Sequence, residues 1–412
     1  MSAPEVRWRT MFGAVLVVRL LYPFFNSPLT HIFSDPQRHW DNAALFLHPS
    51  VMGSGDPYLY QLWLFALRQL SGDSSALVLT SCGALCAGMA YGWYRALREL
   101  LPRLPALRGA VLMGLWPPFI GGYAYFMNET LLMTLTGFAM ALTLRALRKR
   151  ELRSWAAACA LWLLACFTRT VALPMALLGL LWAWLLQPQK LRAALLATAL
   201  SLILIIPAGL HTRSALGFFS PFGNLYLNEI YHAGHNKSIQ IDFGPQGQYI
   251  FGSPSYYNPT FYPFSDWKTT RTGIQNITID TRNGRDDWRR VRAAIPPRSF
   301  GEQWRDFGEN LCYLLFGQSW PDNDRSTMVG WATVWLRWLF VPMALAVAAA
   351  AAARLYRGRE WLLPTCALLS LALLIVQREG IMEGRYRKPI EPVFVASLLL
   401  AWQVRGRREA DT

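Results

Sequence analysis

The stretch FSDPQRHWDNA, Phe33 to Ala43, sets a Pro, an Arg, a His and two Asp into the nine residues from Asp35 onward, directly behind a hydrophobic segment. A carboxylate can accept a proton, so Asp35 and Asp41 are candidates for such chemistry, and His39 follows Asp35 by one helical turn, close enough to hold that carboxylate. A second concentration of charge, EGRYRKPIEP from Glu383 to Pro392, leads into the last hydrophobic run and carries Arg385, Arg387 and Lys388. Arginine stays protonated and grips oxyanions through paired N–H groups, which suits that cluster to an anion. Each early Asp also has a plainer reading. Asp35-Pro36 and Asp56-Pro57 fit an N-cap Asp with Pro at the first helical position, where the missing N–H costs nothing. A cap and a proton acceptor are not exclusive.

The elements that must position these residues are hydrophobic. Of 412 residues, 53% are hydrophobic and 18 are Trp, and the mean hydropathy is positive. That composition points to an all-α polytopic membrane protein. A span needs roughly 20 mostly apolar residues. Runs near 10–26, 74–94, 107–125, 130–145, 155–168, 170–186, 191–209, 328–353, 361–376 and 389–403 predict ten spans, although 155–186 reads equally as one bent element. Placing the N-terminus inside puts Arg7, Arg9, RALRELLPRLPALR, RALRKRELR, QPQKLR, RLYRGRE and RGRREADT on the cytoplasmic side, together 19 of the 40 basic residues. The net charge of +15 is therefore a topology signal, dispersed among loops, and excludes the basic stripe of a nucleic-acid binder. The first run contains Arg19 and lacks a small-residue cleavage pattern, so it is expected to remain as a span. Thirty-five Arg against five Lys, with many Ala and Leu, fits a bacterial inner membrane.

Three organisational blocks follow: 1–209 with seven spans, 210–327 as an outer, periplasmic segment of mixed structure, and 328–412 with three spans and a cytoplasmic tail. The outer face then holds the loop 27–73, a tight turn from Tyr125 to Glu129, and 210–327. Within 27–73, DNAALFLH and PYLYQLWLFALRQL read as amphipathic helices at the interface. No Walker loop, GxGxxG, HExxH or GxSxG occurs, so a soluble nucleotide cofactor has no obvious cradle. His232 and His235 lie three apart without a third ligand nearby, and outer carboxylates are few, so an obligatory divalent metal is not expected.

An acidic residue just after span one, a long loop of interfacial helices, and the Arg385-Tyr386 to Pro392 entry into a late span together resemble the GT-C membrane glycosyltransferases. Among these the chain is most similar to bacterial relatives of the protein mannosyltransferases and the aminoarabinose-lipid transferases. Asn128-Glu129 and Thr168-Arg169-Thr170 are weaker echoes, and the sequence departs where several relatives have adjacent carboxylates, since Pro36 follows Asp35. The resemblance implies transfer of a sugar, with inversion, from a polyprenyl phosphate to an acceptor hydroxyl on a glycan, lipid or protein.

A lipid phosphate leaves as a stabilised anion, so one carboxylate acting as base on the acceptor should suffice, unlike the two carboxylates of a glycosidase. Asp35 is the first choice for that base. Asp41, on a different helical face, and Glu129 are second choices. Arg385, Arg387, Lys388 and Arg169 would stabilise the leaving phosphate, against the alternative that they anchor spans at lipid headgroups. His39, Trp40 and Tyr386 would position donor or acceptor, although His39 and Trp40 fit interface packing as well. Glu129 also fits a helix start, with Asn128 as cap. An O-antigen polymerase or ligase would instead use the outer segment, through His232, Arg285, Arg289 and Arg290. A lipid-linked sugar flippase or transporter would need polar residues at mid-span and symmetry between halves, and neither is evident.

Overall fold

A computed structural model describes residues 3–32, 34–49, 51–72, 74–222, 239–244, 247–251, 275–280, 293, 299–316, 327–376 and 384–411. Helix α1 (Ala3–Phe25) is followed in the first long loop by α2 (Ser34–Ala44), α3 (Val51–Gly55) and α4 (Tyr58–Ser71). Then come α5 (Ser75–Leu100), α6 (Arg103–Leu115), α7 (Asn128–Lys149), α8 (Leu152–Thr168), α9 (Leu173–Leu185) and α10 (Lys190–Leu216). Strands β1 (Ile239–Gly244), β2 (Gly247–Phe251) and β3 (Gln275–Asp280) form a sheet of order β2-β1-β3, antiparallel on one side of β1 and parallel on the other. The chain continues with α11 (Phe300–Phe316), α12 (Met328–Leu336), α13 (Phe340–Ala352), α14 (Leu362–Val376) and α15 (Glu391–Asp411).

Among the described residues, six stretches are long and apolar enough to cross a membrane: Ala3–Phe25, Ser75–Leu100, Asn128–Lys149, Lys190–Leu216, Met328–Ala352 and Gly358–Ile375. The protein is thus a polytopic α-helical membrane protein. The other four predicted runs are helical but shorter, namely α6, α8, α9 and the first part of α15. Helix α6 has 13 residues, roughly 20 Å of rise. It ends where Pro117 and Pro118 withdraw two N–H donors, and the rest of the predicted run becomes the short 3₁₀ turns Pro117–Phe119 and Gly121–Ala124. The 155–186 stretch is two helices, parted by extended Arg169 and the turn Thr170–Ala172. Helix α10 runs seven residues past the predicted boundary at 209, closing at Gly217, whose positive φ of 76° forms a left-handed cap.

The centre of the bundle is α5 against α7 and α7 against α8, around buried Met89, Trp93, Met133, Met140 and Trp162. Between α5 and α7 the backbones meet at glycines. A Cβ on Gly137 would lie 3.1 Å from the Trp93 nitrogen, and one on Gly92 3.0 Å from the Phe138 nitrogen. Small residues here permit the close packing that holds helices together in lipid. Arg19 faces the bundle interior and is fully buried, donating to the carbonyls of Cys86 (2.6 Å), Gly114 (2.9 Å) and Phe119 (2.6 Å). The helical donor for Gly114 would have been the N–H of residue 118, which is proline. Arg19 supplies the missing hydrogen bond and ties α1, α5 and the end of α6 together.

The long loop between α1 and α5 is held down by packing. Tyr60, Leu64 and Leu67 of α4 bury against Val78, Cys82, Phe126 and Leu131, with Ala43 of α2 joining them. Each such leucine stabilises the arrangement by roughly 2 kcal/mol. The short helices therefore hold fixed positions above the bundle.

Candidate active site

The polar side of α2 carries Asp35, Arg38, His39 and Asn42, at the i, i+3, i+4, i+7 spacing that lines one helix face. Both oxygens of Asp35 are occupied by guanidinium groups. Arg38 Nη1 donates to Oδ1 at 2.6 Å, and Arg385 Nη1 donates to Oδ2 at 2.7 Å. The second contact joins residues 350 positions apart, bringing the loop after α1 to the turn Gly384–Arg387 that precedes α15.

Asp56 stands on the other side of Arg38. Its Oδ1 takes Arg38 Nε at 3.2 Å and Nη2 at 3.1 Å, and lies 3.2 Å from His39 Nδ1. Its Oδ2 accepts from Asn42 Nδ2 at 2.8 Å and Gln61 Nε2 at 3.3 Å. The capping expectation fails for this residue, since α4 starts after Pro57 with no side-chain cap. Four nearby polar side chains draw the carboxylate inward instead. Asp35 likewise directs its oxygens to arginines.

Glu129, at the start of α7, pairs with Arg169 from the α8–α9 turn, and Arg169 also donates to Asn128 Oδ1 at 3.3 Å. Asn128 therefore binds a guanidinium rather than capping its helix, whose N-cap residue is Met127. The guanidinium groups of Arg169 and Arg385 both lie over the Tyr386 ring, at 4.4 and 5.5 Å from its centre. Asp35, Arg385, Tyr386, Arg169 and Glu129 thus form one contiguous cluster built from four separate parts of the chain.

Other expected site residues have different surroundings. Arg387 is buried and donates to Glu391 Oε1 at 2.7 Å and to the Leu314 and Leu315 carbonyls at 2.8 and 2.6 Å. Those carbonyls end α11, where helix geometry leaves acceptors unsatisfied and a cation is favoured. The expectation that Arg387 faces a phosphate is corrected accordingly: its guanidinium holds α11. Lys388 is buried beside Gly122 and is among the cations near Glu129, after Arg169 and Arg385. Trp40 stacks on Phe126 at 4.4 Å with Arg68 over its ring, so packing accounts for it rather than substrate positioning. His39 is buried against Asp56, Gln61 and the edge of Tyr60. Asp41 is exposed, away from this polar face of α2. His232, Arg285, Arg289 and Arg290 lie outside the described residues.

The sequence reading missed Arg38, Asn42, Asp56 and Gln61. The first two were legible in the four-residue stripe of α2. Asp56 was hidden by its Asp-Pro context, which also describes a cap.

Burial alone would raise the Asp35 pKa, but Arg38, Arg385 and His39 outweigh it and hold the carboxyl well below the ordinary range. Asp56 follows the same balance: burial raises it, while Arg38, His39 and the hydrogen bonds bring it down to about 2. Asp35 is thereby ionised at neutral pH. With two guanidinium groups on it, it is also a weak proton acceptor, because basicity falls with pKa. The cluster offers a carboxylate, two cations stacked on one tyrosine, and a second carboxylate close by. Among known proteins, neither a family model nor a curated protein matches the chain.

Proposed function

We propose that the protein is an inverting glycosyltransferase that moves a sugar from a polyprenyl-phosphate donor to an acceptor hydroxyl at the outer, periplasmic face of a bacterial inner membrane. In this reading the shorter helices α6, α8, α9 and the start of α15 complete ten membrane passages. The observation that carries the proposal is the 2.7 Å contact between Asp35 and Arg385. It sets a carboxylate beside a cation at the entrance to the last membrane helix, with Arg169 sharing the same tyrosine.

The chemistry follows from that juxtaposition. The acceptor oxygen attacks C1 of the sugar opposite the phosphate, and Asp35 takes the hydroxyl proton. The bond from C1 to the phosphate oxygen breaks, and its electron pair remains on the phosphate. The donor phosphodiester carries one negative charge and the released polyprenyl phosphate two. Arg385 and Arg169 meet the charge that develops, where preorganised donors are most effective. No acid is needed for the leaving group, which agrees with a site in which the carboxylates are ionised or ion-paired.

The test uses the full chain in lipid nanodiscs with a panel of polyprenyl-phosphate-linked hexoses, pentoses and amino sugars. Release of polyprenyl phosphate is followed by mass spectrometry and the product anomer by NMR. The expected result is turnover with inversion, lost by about a thousandfold or more in a folded Asp35→Asn variant, as befits a general base. Wild-type turnover in that variant, or retention at C1, would overturn the proposal.

A further inference from the structure

The two arginines on Asp35 reach it from different parts of the chain. Arg38 comes from the same helix as Asp35, one turn on, and presents three nitrogens to two carboxylates: Nη1 to Asp35, Nε and Nη2 to Asp56. Asp56 is in turn fixed by Asn42 of α2 and Gln61 of α4, and α4 is anchored to the bundle by its buried face. Arg385 reaches Asp35 from a four-residue 3₁₀ turn and sits over Tyr386 beside Arg169.

An anion entering at Tyr386 competes with Asp35 for Arg385, but it meets Arg38 already clamped between carboxylates. We propose that Asp56 is a positioning residue that holds Arg38 on Asp35, so that the base keeps its place and orientation when Arg385 transfers to the donor phosphate. The inference rests on the glycosyltransferase reading and deepens it. Loss of one of two guanidinium groups makes Asp35 a better proton acceptor at the moment the donor is bound, and Asp56 prevents the carboxylate from following Arg385. The charged and titratable groups around Asp35 that take part in this exchange are Arg38, Arg385, His39 and Asp56. In this role Asp56 acts through Arg38, which it meets at Nε and Nη2.

The experiment measures kcat and donor KM for Asp56→Asn, Arg38→Gln, the double variant and Asp56→Glu. It uses the full chain in nanodiscs and whichever polyprenyl-phosphate sugar the unaltered protein turns over, with binding of polyprenyl phosphate measured alongside. For Asp56→Asn we expect kcat to fall at least tenfold while donor KM and polyprenyl phosphate affinity move less than threefold. The double variant should lose no more than the worse single one, because both act through one contact, and Asp56→Glu should recover part of the rate. A general loss of structure would instead move affinity together with rate. Wild-type kcat in Asp56→Asn, additive losses in the double variant, or parallel loss of affinity and rate would overturn the inference. If Asp35→Asn is inactive while Asp56→Asn is fully active, only the positioning role fails. If Asp35→Asn is active, or no donor is turned over, the glycosyltransferase reading fails and takes this inference with it.

Discussion

At the scale of single residues, the site depends on carboxylates kept ionised by guanidinium groups. Asp56 moves from its ordinary 3.8 to about 2, so the folded state binds its proton less readily than the unfolded chain. Its contribution, on the order of 2 kcal/mol, is complete above about pH 4 and lost as the pH falls through about 2. The part of the thermal stability that Asp56 contributes should therefore be constant around neutrality and fall on acidification below about pH 4. Asp56→Asn should flatten part of that fall, and an unchanged profile in the variant would contradict the assignment. Arg385→Gln should weaken binding of polyprenyl phosphate by about ten- to a hundredfold, the value of a charge-assisted hydrogen bond. Arg385→Lys should recover only part of it, since an ammonium lacks the planar fork. Sequence alone marks Asp35 and Arg385 because charge beside an apolar run is conspicuous. It misassigns Arg387, two residues from Arg385, because adjacent arginines look alike until α11 brings its terminal carbonyls to one of them.

At the scale of elements, two joints hold the pieces that carry the site. Arg387 and Glu391 form a buried pair that fastens α11 beside the Gly384–Arg387 turn. Arg387→Met leaves Glu391 buried without its cation, and a loss of about 3–5 kcal/mol is expected. The double variant Arg387→Met/Glu391→Leu should regain much of that, and calorimetry or thermal unfolding distinguishes the cases. The second joint is the α5–α7 contact. Gly137→Val would drive methyl groups into the Gly92 and Trp93 backbone and should cost about 1–3 kcal/mol. The same substitution at Gly13, where a Cβ meets nothing, should be far milder. Hydropathy locates these helices well, because each apolar run must satisfy its own backbone hydrogen bonds. It overextends α6, whose apolar run continues through Pro117 and Pro118 although its helix cannot. The buried role of Arg19 is invisible for a related reason: its acceptors, including the carbonyl orphaned by Pro118, are brought to it by tertiary packing.

At the scale of the whole molecule, the start of α7, the end of α8, the turn before α15 and the loop after α1 all meet at one end of the bundle. Arg148 near the end of α7 instead pairs with Glu99 near the end of α5, about 28 Å of helix rise away from Glu129. This alternation of ends is what a chain crossing a bilayer back and forth produces, and it separates the candidate site from the basic loops expected in the cytoplasm. The proposed catalytic centre requires Asp35 and Arg385 to be neighbours on the same side of the membrane, the outer one. The described native cysteines are all buried, so Cys residues introduced at these positions, with Cys312→Ser, report against a quiet background. A membrane-impermeant, short bifunctional thiol reagent applied to the outer face of sealed vesicles should join Asp35→Cys to Arg385→Cys in one chain, read by mass spectrometry of the linked peptides. Labelling of the two positions only from opposite sides of the membrane would contradict the account outright.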